Sequence, residues 1–131
     1  MTNLREKKLQ QIANDIPLLE IEGYQGNDAD LLIVGWGGTY GHLYATMKMM
    51  NEQGMKVALA HFRFISPLPK NTAEVLRSYK NIVVAEENLG QFAGYLRMKI
   101  EGLHLHQFNQ LKGQPFVVKE LVEAFTKLVE D

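Results

Sequence analysis

Residues 31–43, LLIVGWGGTYGHL, carry the strongest sign of architecture in the chain. The first four residues form a continuous apolar run, which is typical of a β-strand covered on both faces. Four glycines follow within seven residues, and a helical pattern then begins at Tyr40. A buried strand that ends on glycines before a helix is the usual frame of a phosphate or nucleotide site. The stretch therefore predicts an α/β domain and raises the question of a ligand.

The alternation of strand and helix continues to the end of the chain. We expect helices over residues 40–53, 72–80, 91–101 and 118–130, and further strands over residues 56–61, 81–85 and 103–108. Gly54 is the expected stop of the first of these helices, and Thr72 is the expected cap of the second. Short links between alternating elements predict a three-layer α/β/α fold with a mainly parallel sheet.

The sequence before residue 31 has a different character. We expect a polar amphipathic helix at residues 3–14, a short edge strand at residues 18–22 and a turn-rich linker after it. The chain is therefore divided into an N-terminal helix and linker, residues 1–30, and an α/β domain, residues 31–131.

Composition is that of an ordinary globular domain. The 131 residues are 46% apolar and 22% charged, with a formal net charge of -1. One core can form without disulfides, and no overall field recruits nucleic acid or an anionic membrane. The absence of cysteine excludes disulfides, thiol catalysis and cysteine-ligated zinc or iron–sulfur clusters within this chain. No membrane span or secretory signal is visible, so a reducing cytoplasm is the expected location.

The glycine loop at residues 35–41 departs from two common nucleotide-binding patterns. The dinucleotide fingerprint G-x-G-x-x-G would need glycine at Tyr40, and an acidic residue about twenty positions on. The second strand instead ends in Ala60 and His61, and no Gly-Lys-Ser/Thr follows as a P-loop requires. A close-packing turn capped by Thr39 is the preferred interpretation, while a weak anion site or a partner contact stays open.

Three loops should meet at the carboxyl edge of the sheet, where ligands and partners bind in open α/β folds. The loop that begins at His61, HFRFISPLP, is either a contact with another domain or subunit or a stiff crossover. In the next loop Glu86 and Glu87 lie on opposite faces, so they do not form an acid/base pair. One of them anchors a loop amide or Arg63, or favours the helix start through the helix dipole.

The histidines give no stronger sign of chemistry. His104 and His106 share one face of a strand, which can hold a metal, but no third ligand is apparent. We expect His42 and His61 to pack or to bond loops rather than to act as bases. No Ser–His–Asp or Cys–His arrangement can be argued. We therefore predict no catalytic residue and no metal ligand in this chain.

Three stretches together resemble one protein family. They are LLIVGWGGTYG (31–41), HFRFISPLP (61–69) and VVAEENLGQFAGYLR (83–97). The combination of a strand–WG–glycine turn, an H-x-R-x-x-x-P-x-P loop and an E-x-N-x-G-Q helix start resembles the C-terminal domain of the alpha subunit of 2-oxoacid:ferredoxin oxidoreductases, most like the 2-oxoglutarate type. That domain is similar to the C-terminal domain of transketolase. The resemblance extends over nearly the whole chain.

The resemblance marks ten residues as candidate loop or interface contacts. They are Trp36, Gly37, Gly38, Thr39, Gly41, His61, Arg63, Glu86, Asn88 and Gln91. Gly38 departs from the pattern, since serine or threonine often stands there in the family. This change removes a hydroxyl cap or anion donor and weakens a ligand role for the first loop.

The resemblance implies a large enzyme that decarboxylates a 2-oxoacid on thiamine diphosphate and magnesium. Such an enzyme passes electrons through iron–sulfur clusters to ferredoxin and forms an acyl-coenzyme A. This chain lacks cysteines and the GDG…N signature for the diphosphate, so the resemblance implies a non-catalytic domain, without a cofactor of its own, that serves assembly and positioning. Its implied partners are the other domains of the alpha subunit and the beta subunit. The alternative is an independent small-anion or nucleotide-binding α/β module.

Overall fold

The computed structural model describes residues 18–24, 26–36, 40–62, 69–86, 91–102, 105–109 and 116–130. The strands are β1 (Ile21–Gly23), β2 (Leu31–Trp36), β3 (Val57–Phe62), β4 (Ile82–Glu86) and β5 (His106–Asn109). The α-helices are α1 (Tyr40–Glu52), α2 (Thr72–Arg77), α3 (Gln91–Lys99) and α4 (Val118–Glu130). A short 3-10 helix spans Gly26–Asp28. The helix predicted at residues 3–14 lies outside the described residues.

The five strands form one sheet in the order β1-β3-β2-β4-β5. β2 lies at the centre and pairs in parallel with β3 on one side and with β4 on the other, and β5 continues in parallel from β4. β1 is antiparallel to β3, with Ile21 opposite Ala60. The mainly parallel sheet is confirmed, and the expected edge strand is found at Ile21–Gly23.

Alternation along the central strand divides the core between two faces of the sheet. Leu32 and Val34 pack on the face covered by α2 and α3, whereas Leu31 and Ile33 pack on the face covered by α1 and α4. All four side chains are fully buried, which explains why the run is apolar at every position. The three-layer α/β/α arrangement is therefore confirmed.

Two helix-end predictions had different outcomes. Gly54 adopts a φ of +94° just after α1 and ends it, as expected. The prediction that Thr72 caps α2 is wrong, because the preceding residue, Asn71, occupies the cap position. The Thr72 hydroxyl instead donates a 2.7 Å hydrogen bond to the carbonyl of Pro69.

Asn71 is engaged elsewhere and fastens the segment before β1. The Leu19 amide donates to Oδ1 of Asn71 (2.8 Å), and Nδ2 of Asn71 donates to the Leu19 carbonyl (3.0 Å). After β1, the Tyr79 hydroxyl donates to the carbonyl of Tyr24 (3.0 Å). Burial raises the pKa of Tyr79, although a backbone hydrogen bond from Gly26 acts in the opposite direction. The edge strand is thus tied to the α2 region before and after its three residues.

Position 23, at the end of β1, requires glycine both for its backbone conformation and for the short distance to β3. Its φ is +94°, and a Cβ there would lie 2.6 Å from the carbonyl oxygen of Val57. Gly54 has the same φ but would place its Cβ in open space. We expect Gly54→Ala to destabilise the fold by about 1 kcal/mol through backbone strain. Gly23→Ala should cost about 1–3 kcal/mol more, because the backbone of β3 must move.

Urea unfolding of the two alanine variants beside the parent chain measures this difference. Equal losses of unfolding free energy would show that β1 shifts freely, and would contradict the tight approach of Gly23 to β3.

Candidate functional site

Five of the ten candidate residues lie together at the carboxyl edge of the sheet. Trp36 ends β2, Glu86 ends β4, and His61 is the penultimate residue of β3. Gly41 lies in the first turn of α1, and Gln91 begins α3 at the same edge. The other five lie outside the described residues: Gly37, Gly38, Thr39, Arg63 and Asn88.

Glu86 is a buried carboxylate with an exposed fraction of 1%. Its Oε1 accepts a hydrogen bond from the backbone amide of Phe92 (2.7 Å), and its Oε2 accepts one from the amide of Ala93 (3.0 Å). Both amides belong to the first turn of α3, where amides lack partners within the helix and the helix dipole favours a negative group. The expectation that an acid at this position anchors an amide and favours the helix start is confirmed for Glu86.

Three strand ends converge on Phe92, which is 3% exposed. The ring centroid of Trp36 lies 6.0 Å from that of Phe92, and the ring of Phe62 meets Phe92 edge-on at 5.2 Å. Such tilted and edge-to-face geometries are favourable for aromatic pairs. Together with the carboxylate of Glu86, these contacts fix the start of α3 against β2, β3 and β4. The periodic pattern predicts a buried Phe92 but does not show which rings it meets.

His61 belongs to a second cluster, on the opposite face of the sheet. Its ring lies edge-on to Tyr40 at 5.2 Å, and Tyr40 stacks on Tyr44 at 5.8 Å. The Tyr40 hydroxyl donates to the carboxylate of Glu22 in β1. The expectation that His61 packs is therefore confirmed. Tyr40, Tyr44 and Glu22 were missed, although the four-residue spacing of the tyrosines was the available signal.

Gly41 is the one candidate glycine for which the structure describes the surrounding space. It is exposed, its backbone is not in the positive-φ region, and a Cβ there would meet no described atom within 4 Å. The expected close packing of the glycine loop thus has no support from the described neighbours of Gly41, and residues 37–39 lie outside the described residues. A Cβ at Gly41 therefore meets no steric conflict with the described residues.

The remaining polar residues form no further recognisable site within the described ranges. No group of three or more His, Asp or Glu side chains there could hold a metal ion. His106 is exposed on β5 and His42 is exposed on α1, while His104 lies outside the described residues. No described helix is long and apolar enough to cross a membrane. In the described part of the edge, side-chain contacts hold the starts of α1 and α3 against the sheet.

The Glu86 anchor leads to a direct test. In Glu86→Gln, one acceptor oxygen becomes an NH2 group that faces a backbone N–H, so a buried donor loses its partner. We expect a loss of about 1–3 kcal/mol of unfolding free energy. Hydrogen exchange at the Phe92 and Ala93 amides should accelerate more than at the core amides of β2.

Glu101→Gln is the matched control, because Glu101 is exposed in the turn after α3 and its side chain has no described hydrogen bond. If the two variants unfold at the same urea concentration, the buried carboxylate does not hold α3.

Comparison with known proteins places this fold in a defined group. The family model for pyruvate:ferredoxin oxidoreductase core domain II matches residues 29–121. The 2-oxoglutarate oxidoreductase subunit KorA of Mycobacterium tuberculosis is 39% identical over 121 residues, which are 92% of this chain and 18% of that protein. The chain thus spans about a fifth of the length of the curated relatives it matches.

Solved structures agree on the fold. A 2-oxoglutarate:ferredoxin oxidoreductase from Magnetococcus marinus, solved with 2-oxoglutarate, coenzyme A and succinyl-CoA, superposes with a TM-score of 0.83 at 23% identity. The match covers 92% of this chain and 21% of that one. A split-gene transketolase superposes with a TM-score of 0.62 at 15% identity, over 85% of this chain and 41% of that one. The expected likeness to a transketolase domain is confirmed at the level of the fold.

Proposed function

The chain belongs to the pyruvate:ferredoxin oxidoreductase core domain II family, and we propose that it is a non-catalytic domain of the alpha subunit of a 2-oxoacid:ferredoxin oxidoreductase. The whole enzyme would oxidise and decarboxylate a 2-oxoacid to an acyl-coenzyme A and pass the electrons to ferredoxin. Of the enzymes in this family, it would be most similar to those that use 2-oxoglutarate. The match of residues 29–121 to a single core domain, within relatives about five times longer, carries the proposal.

The cofactors of such an enzyme would be held outside this chain. Thiamine diphosphate is held through magnesium, and the sequence carries no GDG…N signature for that site. Iron–sulfur clusters need cysteine thiolates, and the sequence has none. We therefore assign these cofactors to other parts of the enzyme, and this domain would contribute structure rather than a step of the reaction.

Assembly and positioning are the role that we assign to the domain. The carboxyl edge is a rigid platform, because buried contacts of Glu86 and Phe92 lock α3 to three strand ends. Glu86 acts within the domain, because it is 1% exposed and bound to α3. The other nine candidate residues would contact neighbouring domains of the alpha subunit or the beta subunit. Ferredoxin is a partner of the whole complex, and nucleic acid and membranes are not partners. The complex would work in the cytoplasm. The division of the chain into an N-terminal helix and linker (1–30) and an α/β domain (31–131) stays a prediction.

The alternative of an independent anion-binding module rests on the glycine loop before α1, whose residues 37–39 lie outside the described residues, and the start of α3 adds no support for it. The amides of Phe92 and Ala93 in its first turn already bind the carboxylate of Glu86. A negatively charged side chain of the protein therefore occupies the position that a phosphate would need.

A substitution at Gly41 tests the assembly role with little expected effect on the fold. Because no described atom lies within 4 Å of a Cβ at Gly41, we expect Gly41→Phe to change the unfolding free energy of this chain by less than about 1 kcal/mol. In the full-length alpha subunit, the same ring should block a contact at the carboxyl edge and weaken association with the beta subunit at least about tenfold. Analytical ultracentrifugation of the mixed subunits measures the association.

Gln53→Phe is the matched control, since Gln53 is exposed just beyond the other end of α1. Unchanged association in Gly41→Phe would remove the carboxyl edge from the interface. Equal weakening by both variants would show that the effect is not specific to that edge.

Two measurements test the proposed function itself. The gene product in cell extract should be several-fold longer than this chain, as mass analysis of the purified native protein would show. The 131-residue chain alone should not turn over 2-oxoglutarate with thiamine diphosphate, coenzyme A and a dye acceptor. Turnover above background by this chain, or a native product of this length, would overturn the proposal.

A further inference from the structure

A shallow groove of about 260 Å³ lies between the start of α2 and the second half of α3. Pro69, Ala73, Tyr95 and Ile100 supply its apolar surface. Pro69 and Ile100 are buried and form the floor, whereas the exposed side chains of Lys70 and Lys99 stand at the rim. The groove is on the α2 and α3 face, so it is separate from the cluster around His61 and Tyr40.

Beside the groove, α3 exposes the apolar side chain of Met98. Helical spacing places Tyr95 and Lys99 on one row and Gly94 and Met98 on the next. Met98 is 83% exposed, and the ammonium group of Lys99 lies 5.6 Å from the centre of the Tyr95 ring. An exposed methionine beside an aromatic ring and an apolar groove is typical of a contact surface.

The charges around the groove favour a negatively charged partner. The α1 and α4 helices carry three lysines and four glutamates, whereas α2 and α3 carry Arg77, Arg97 and Lys99 against Glu74. Even with the exposed Glu101 just after α3 counted, this face has more basic than acidic groups. Both arginines donate to backbone carbonyls, of Glu101 and Leu105. Neither Lys70 nor Lys99 forms an ion pair with a carboxylate in the described part of the chain.

We propose that this groove docks an acidic polypeptide segment with an apolar anchor, contributed by the rest of the alpha subunit. The anchor side chain would lie on Ile100 and Pro69, with carboxylates on either side facing Lys70 and Lys99. The source of the segment rests on the proposed function. Relatives about five times longer carry this domain in one chain with the remainder, and such a linkage gives an intramolecular segment a high effective concentration.

The chemistry of the groove can be tested on the 131-residue chain with a synthetic probe. The probe is a fluorescein-labelled peptide with one leucine flanked by three glutamates on each side, and fluorescence anisotropy gives its Kd. The paired change Lys70→Gln with Lys99→Gln should weaken binding at least about fivefold. Met98→Gln should also weaken it, and added salt should weaken binding to the parent chain.

The matched control is Lys48→Gln with Lys119→Gln on the opposite face, because Lys48 also lies over a tyrosine ring, at 5.7 Å from Tyr44. This pair should leave the Kd unchanged. The proposal is overturned by absent binding, by equal weakening from the two pairs, or by equal binding of a probe with glutamine in place of glutamate. Inorganic phosphate that competes fully with the probe at millimolar concentration would instead make this a small-anion site.

The origin of the docked acidic segment is tested in the full-length alpha subunit. Carbodiimide should join Lys70 or Lys99 to a carboxylate elsewhere in the same chain, outside this domain, as peptide mass mapping would show. Cross-links to a second polypeptide alone, or none at either lysine, would overturn the assigned source. A native product no longer than this chain would refute the proposed function, while the peptide titration still decides the chemistry of the groove.

Discussion

The buried carboxylate of Glu86 is the constraint on which much of the carboxyl edge depends. A carboxylate that is 1% exposed is costly to bury unless both oxygens find donors, and here the first turn of α3 supplies them. This requirement sets where α3 begins relative to β4. Once α3 is placed, Phe92 meets Trp36 and Phe62, and the outer side of the helix forms a wall of the groove.

The sequence predicted the elements well because their signals are local and repetitive. The apolar run of β2 and the buried stripe of α4 follow directly from the two periodicities of strands and helices. Which of two good capping residues occupies a helix start is a different kind of question. Thr72 and Asn71 both suit a cap, and a partner 52 residues away, Leu19, engages the side chain of Asn71. Such a contact has no trace in the local pattern.

The candidate site was likewise predictable only where the signal is local. Family motifs located Trp36, His61 and Glu86 at the correct edge, but only tertiary structure shows that they serve two different clusters. His61 and Phe62 are neighbours in β3, so their side chains lie on opposite faces, and each meets a different helix. One face is tied to Tyr40 and the edge strand, and the other to Phe92. The two faces also differ in charge, so they are suited to different neighbours in a larger protein.

The position of β2 between β3 and β4 has a consequence for the order in which the chain folds. A strand flanked by two later strands cannot complete its hydrogen bonding while the ribosome has made only the first half of the domain. The pairing of β2 with β3 can form first, with α1 as the crossover, and the ladder to β4 must wait until residue 84 has been made. Because parallel pairing joins segments that are distant in sequence, the contacts between β2 and β4 form late in synthesis. Until then, the backbone groups of β2 that later pair with β4 have no strand partner, and exposed strand edges of this kind favour aggregation.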